Sequence, residues 1–302
     1  MTHDDGLFDL TDYRTGSRKA RKRDPLIEAV ALDREASLIM GDDGQLARVV
    51  ALHSLDKAHY ARYYADIVGT GMRRAYGGPL AWIELYAGPG RLYVKGLEQF
   101  KPGSPVEAVQ GIRHRFSHYV FADLDPRCTA ALDARVGHLP GVHVREGDAN
   151  SAALHDEIVR LVPKNALVVL YADPAELNLH FDTLRFFAER YKHLDLLLNF
   201  PVPGVDRALS GGYDEKASKV LGHAEPIKLL AAPNARTSIR EAFKRQLGAL
   251  GYEHFGVQQI RLHANNSPLY DLMLASREAR AGEFFDEAIR HPPGGQRTME
   301  LF

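Results

Sequence analysis

The sequence is short of cysteine, of net charge and of long apolar runs. One cysteine, Cys128, stands in 302 residues; this excludes an intramolecular disulfide and any multi-cysteine zinc or iron–sulfur site, and fits a reducing compartment. Lysine and arginine total 38 against 39 aspartate and glutamate, a formal charge of −1. Overall charge therefore announces no nucleic-acid partner, and any polyanion must be met by a local patch. No stretch approaches the ~18 apolar residues of a membrane span, and the acidic start MTHDDGLFDL lacks the apolar core of an export signal. A cytoplasmic location without membrane attachment is expected. Histidine is plentiful at 14 residues, yet no His-x-x-x-His or His/acid cluster has metal-ligand spacing, and no Gly-x-x-x-x-Gly-Lys-Ser/Thr loop is present. Neither a metal site nor nucleotide triphosphate hydrolysis is expected.

What is present begins with a polar, irregular segment, residues 1–44, read as a basic, flexible arm. Within it Arg14 to Arg23 (RTGSRKARKR) carries six basic residues without a compensating acid, a candidate contact for nucleic-acid phosphates. Residues 45–302 are read as one α/β domain. From Gln45 to Tyr76 apolar residues recur with helical spacing, predicting one long or two short helices that stop at Gly77-Gly78-Pro79. Short β-rich runs then alternate with amphipathic stretches, the pattern of a doubly wound, mostly parallel sheet. The predicted strands are Trp82 to Tyr86, Tyr119 to Ala122, Val142 to Arg145, Leu167 to Tyr171 and Leu194 to Asn199. Helices are predicted around Pro105 to Arg115, Arg127 to Val136, Ala152 to Leu161, Asp182 to Tyr191 and Thr237 to Leu250. Tyr252 to His263 and Leu269 to Ser276 form an antiparallel hairpin in this reading.

Ligands of open α/β sheets bind beyond the carboxyl ends of the strands, which makes those endings the candidates for chemistry. The first runs Glu84-Leu85-Tyr86-Ala87-Gly88-Pro89-Gly90. Its small residues allow a ligand close to the backbone. The third glycine of a dinucleotide loop is replaced by Tyr93, and Glu84 suits a cationic group better than a phosphate. S-adenosylmethionine has an ammonium and a sulfonium. A tight strand-to-helix turn without a ligand is the alternative. At the second ending Asp123 or Asp125 could accept the two hydroxyls of a ribose; Asp123 ends the apolar run, whereas Asp125 before Pro126 could equally cap the next helix. At the third, Asp148 could accept from an adenine amine, and Asn150 is the expected N-cap of the following helix. The order and spacing of the three resemble the cofactor half of a class I S-adenosylmethionine-dependent methyltransferase.

The fourth ending, Asp173-Pro174, partly matches the Asp/Asn-Pro-Pro-aromatic element of amino-methylating enzymes. The fifth is Asn199-Phe200-Pro201-Val202-Pro203-Gly204-Val205-Asp206-Arg207. With Gly103-Ser104-Pro105 and Ser267-Pro268-Leu269-Tyr270 it resembles the bacterial three-Cys-motif partner proteins, over about Lys57 to Arg290. That resemblance implies a Rossmann-like, methyltransferase-like protein; the strand endings themselves are read as holding S-adenosylmethionine through Glu84, Ala87, Gly88, Pro89, Gly90, Asp123, Asp148 and Asn150, with Asp173 orienting the nucleophile and Asn199 and Arg207 lining the acceptor side. The resemblance also implies a partner carrying a three-cysteine motif and resembling radical S-adenosylmethionine enzymes. Methyl transfer to nucleic acid, or a non-catalytic partner role on the same fold, are the two functions left open, with a nicotinamide-dependent oxidoreductase a weaker third.

Overall fold

A computed structural model describes residues 37–262 and 265–293. Two strands, β1 (Leu38–Met40) and β2 (Leu46–Val50), precede the long helix α1 (His53–Ala75). There follow β3 (Leu80–Leu85), the hairpin β4 (Arg91–Val94) and β5 (Gln99–Pro102), and α2 (Ser104–Gln110). Next come β6 (His118–Asp123), α3 (Pro126–Leu132), β7 (Val142–Glu146), α4 (Ala152–Leu161), β8 (Leu167–Ala172), α5 (Phe181–Arg190) and β9 (His193–Phe200). Three helices, α6 (Val202–Ser210), α7 (Asp214–Leu221) and α8 (Ala235–Gly248), lead to β10 (His254–Arg261), β11 (Pro268–Ser276) and α9 (Ala279–Ile289).

The main sheet has the order β10-β11-β9-β8-β3-β6-β7. Strands β7, β6, β3, β8 and β9 are mutually parallel, and β11 runs antiparallel between β9 and β10. The chain winds outward from β3 to β6 and β7, then returns to the other side of β3 for β8 and β9, so the switch point lies at β3. Strand β3 is buried along its whole length. Trp82 joins Tyr64, Tyr119, Phe121 and Phe285 on one face of the sheet, and Ile83 and Leu85 join Val168, Leu170 and Phe187 on the other. Burial on both faces is why these strands read as continuous apolar runs.

Two features depart from the sequence reading. Gln45 to Val50 shares the apolar spacing of α1, but Leu46–Val50 is a strand, antiparallel to β1 and parallel to β4. Pairing partners on both sides override helical periodicity in a segment that ends in Val49-Val50. The hairpin β1–β2 also crosses the boundary drawn at residue 44, with Asp42 and Asp43 tied to Arg91 and Arg135. The basic stretch Arg14 to Arg23 lies outside the described residues. Second, the glycine loop after β3 does not enter a helix. It enters β4, and the chain returns through β5 so that Gly103 N–H donates to Gly90 O at 2.8 Å before α2 begins at Ser104. Among the described residues no helix is long and apolar enough to cross a membrane, and no group of histidine, cysteine or acidic side chains could hold a metal.

Candidate active site at the strand switch point

A cavity of about 570 Å³ opens at the carboxyl ends of β3, β6, β7 and β8, within the usual size of a small-molecule site. Ala87, Gly88, Pro89, Gly90, Asp123, Asp148, Asn150 and Asp173 all line it. Gly88 has φ +65° and Gly90 φ +78°, a region L side chains rarely adopt. Their surroundings differ. A Cβ on Gly90 would meet Leu132 Cδ1 at 2.6 Å, whereas one on Gly88 would meet only the Arg48 side chain at 3.6 Å. Packing thus requires Gly90, while the space beside Gly88 belongs to the cavity.

Asp123 does two jobs for the protein: Oδ2 accepts from Gly88 N–H at 2.7 Å and Oδ1 from Asp125 N–H at 3.0 Å. It fixes the glycine loop while both oxygens keep further lone pairs for a ligand. Asp125 is the N-cap of α3, accepting from Arg127 N–H, and is paired with the Arg127 side chain. The next cap departs from the sequence reading. Ser151, not Asn150, caps α4 by accepting from Leu154 N–H. Asn150 instead ties two strand endings together: Oδ1 accepts from His180 N–H and Nδ2 donates to Asn178 O and to Asp148 Oδ1. Tyr86, at φ +65°, also donates to Asn178 O.

Glu84 is 1% exposed and lies behind the cavity wall. Trp82 Nε1–H donates to Oε2 at 3.0 Å and the Ser104 hydroxyl to Oε1 at 2.6 Å. Ser104 lines the cavity and Glu84 does not, so the expected cation meets Glu84 only through Ser104. Burial pushes the Glu84 carboxyl up to about 8, against the opposing effect of its two hydrogen bonds. Since the folded value lies above the unfolded value near 4.5, the folded state binds the extra proton. Stability from this group is complete below about pH 4.5 and is lost as pH rises through about 8. Asp195, raised to about 6 by burial, acts likewise at lower pH. Glu84→Gln is therefore expected to flatten the fall in stability between pH 6.5 and 8.5, as read by urea unfolding; an unchanged slope would place the titration elsewhere.

On the acceptor side, Asp173 is held between an ion pair with Lys57 Nζ and a hydrogen bond from Asn199 Nδ2 at 2.7 Å. Asn199 also donates to the Tyr171 hydroxyl at 3.1 Å. Asn199 is buried behind Asp173 and its Oδ1 has no hydrogen-bond partner among the described residues; the residue borders a second, 20 Å³ cavity rather than the main one. Arg207 lies exposed on α6 and lines neither cavity, so the fold does not bring it to Asp173. Arg48, Ser54, Lys57 and His180, which also line the cavity, were not marked by any motif in the sequence. Arg48 and Lys57 lie on elements preceding the glycine loop, where no strand-ending rule applies. Cys128 accepts from Arg48 Nη2 at 3.2 Å, and burial pushes its thiol up to about 11, as suits a packed, unreactive side chain.

No protein-family model and no curated protein matches the sequence. Among solved structures, a Legionella pneumophila protein assigned to the family DUF519 is similar over 80% of this chain and 94% of its own, with 12% identity and a TM-score of 0.50. A Bacillus cereus O-methyltransferase in complex with SAH is 11% identical over 88% of this chain and 96% of its own, with a TM-score of 0.44. Cofactor-bound Rv0187 from MTB is 13% identical over 85% and 91%, with a TM-score of 0.45. At such identities the likeness is one of architecture. The chain has a Rossmann-like fold: a mostly parallel, doubly wound sheet with its antiparallel strand near one edge.

Proposed function

We propose that the cavity binds S-adenosylmethionine and that this methyltransferase-like protein acts on nucleic acid or with a nucleic-acid-related partner. One observation carries the reading: Gly88, Asp123 and Asp148, from three successive parallel-strand endings, line a single cavity at the switch point. In this reading the space at Gly88 admits the ligand, Asp123 accepts from ribose hydroxyls and Asp148 from the adenine amine. When bound, the cofactor supplies a methyl carbon already activated by its sulfonium. The residues then act mainly by positioning, with Asp173 on the acceptor side. Tyr93, in the place of a dinucleotide loop's third glycine, sits within β4, which counts against a pyrophosphate on a helix N-terminus.

Mass spectrometry of nucleic acid from cells with and without the protein tests transfer. The expected result is a methylated nucleoside that disappears with the protein. A second reading, a non-catalytic partner of a three-cysteine-motif protein resembling radical S-adenosylmethionine enzymes, is favoured by the Lys57–Asp173 pair, which occupies the acid an acceptor amine needs. Unchanged nucleosides would favour it. The basic stretch Arg14 to Arg23 is assigned to phosphate contact. If it neutralises about four phosphates, log affinity for RNA or DNA falls against log salt with a slope of roughly −3 to −4. Deleting residues 1 to 24 should flatten that slope without changing cofactor affinity; a slope that survives removes the arm from the interaction.

A further inference from the structure

The amino ends of the parallel strands, opposite the cavity, gather positive charge. Helix α1 ends there on Arg73 and Arg74, both exposed. The loop from α2 to β6 carries Arg113-His114-Arg115, and its Ser117 N–H donates to Leu80 O at 3.0 Å, which fixes it at the start of β3. That loop lies directly on the end of α1. A Cβ on Gly69 would meet the His114 carbonyl oxygen at 2.3 Å, so a residue without a side chain is what lets the two segments approach. Arg73 Nη1 then donates to His114 Nδ1 at 3.1 Å, and Arg113 and Arg115, which flank His114 in the chain, are exposed.

One acid joins these four arginines. Asp66 accepts from Arg113 N–H at 2.7 Å and pairs with its guanidinium. Arg74 has no partner among the described residues. Arg115 gives one N–H to Pro140 O at 3.2 Å and lies over the Tyr119 ring, which holds it in place with other donors unused. The helix dipole favours cations at the end of α1, but it does not account for the arginines of the loop. What the patch lacks identifies its partner. The large apolar side chains exposed among the described residues are Met40, Leu124, Tyr213 and Ile227, and none belongs to these two segments. A protein partner needs apolar anchors at the centre of its interface, whereas a phosphate backbone is met by charge and guanidinium forks. We propose that Arg73, Arg74, Arg113 and Arg115 form a docking surface for the phosphate backbone of a single-stranded nucleic acid, separate from the cavity. Strands β3 and β6 have six residues each, about 20 Å, so a flexible strand held at their amino ends can reach the carboxyl ends. A duplex, stiff over about 150 base pairs, cannot bend so sharply. The assignment rests on the nucleic-acid reading above and adds a surface that reading does not use.

Fluorescence anisotropy of the full chain with a labelled single-stranded RNA of about 25 nucleotides, read across a salt series, tests it. Arg73→Gln/Arg74→Gln is expected to lose about tenfold in affinity. Its slope of log affinity against log salt should become shallower by about 1 to 2, near 0.7 for each phosphate contact removed. Arg73→Lys/Arg74→Lys keeps the charge and should stay within about threefold of wild type. Lys228→Gln/Arg245→Gln removes the same charge from exposed positions elsewhere and should do the same. S-adenosylmethionine affinity should be unchanged in all three. The assignment is overturned if Arg73→Gln/Arg74→Gln binds the RNA as wild type does, or if Lys228→Gln/Arg245→Gln falls as far. It is overturned equally if poly-glutamate displaces the RNA as well as unlabelled RNA does, which would mean an acidic protein, or if duplex DNA of the same length binds more tightly. Should the full chain bind no RNA at all, the nucleic-acid reading falls with it; RNA binding that ignores Arg73 and Arg74 removes only this surface.

Discussion

Gly88→Val is expected to lower S-adenosylmethionine affinity more than a hundredfold while leaving the sheet folded. The side chain would enter space that the protein itself leaves empty, since the nearest atom to a Cβ there is Arg48 Nε at 3.6 Å. A second cost is conformational: Gly88 sits at φ +65°, where a β-branched residue is strained by about 1–3 kcal/mol. Urea unfolding separates the two effects. A modest loss of stability with retained circular dichroism and absent binding supports the cavity assignment. Wild-type affinity in a folded variant would show that the ligand does not approach this loop. Gly90→Val makes the contrast, because its Cβ would lie 2.6 Å from Leu132 Cδ1 and the variant is expected to lose stability first.

Asp123→Ala should weaken the cofactor at least tenfold, by two routes. It removes a charged acceptor for the ribose hydroxyls, worth roughly 1.5–3 kcal/mol per bond. It also frees Gly88 N–H, which Asp123 holds at 2.7 Å, so the loop that meets the ligand loses its anchor. Asp125→Ala acts elsewhere. It deletes the cap of α3, which costs about 1 kcal/mol of stability, and should leave affinity nearly unchanged. Measuring binding and unfolding on both variants checks the pair; a larger affinity loss in Asp125→Ala would mean that the ribose acid is the other carboxylate.

The residues legible from sequence are those whose signal is local. Strands β3, β6, β8 and β9 are buried on both faces, so each writes an unbroken apolar run, and the polar residue ending the run marks the ligand side of the sheet. Ala87 to Gly90, Asp123, Asp148, Asn150 and Asp173 were found this way and share one cavity. Contacts made across the chain left no such trace. Strand β2 depends on β4, a partner more than forty residues away, and its own apolar spacing imitates a helix. The β4–β5 hairpin intrudes between the glycine loop and the helix at Ser104, and only the Gly90–Gly103 contact reunites them. Lys57 meets Asp173 across 116 residues, a pairing that periodicity cannot report. Arg207 shows the reverse error: a place in an unusual motif put it near the acceptor side, but the helical turn of α6 carries it to the exposed face.

If the cavity at the β3 switch point is an S-adenosylmethionine site, it must bind adenosyl ligands and refuse a dinucleotide. Isothermal titration of the full chain with S-adenosylmethionine, S-adenosylhomocysteine and NAD tests it most directly. Saturable one-to-one binding of the first two, lost in Gly88→Val, and no binding of NAD are expected. Saturable binding of NAD, or no binding of either adenosyl ligand by folded protein, would contradict it.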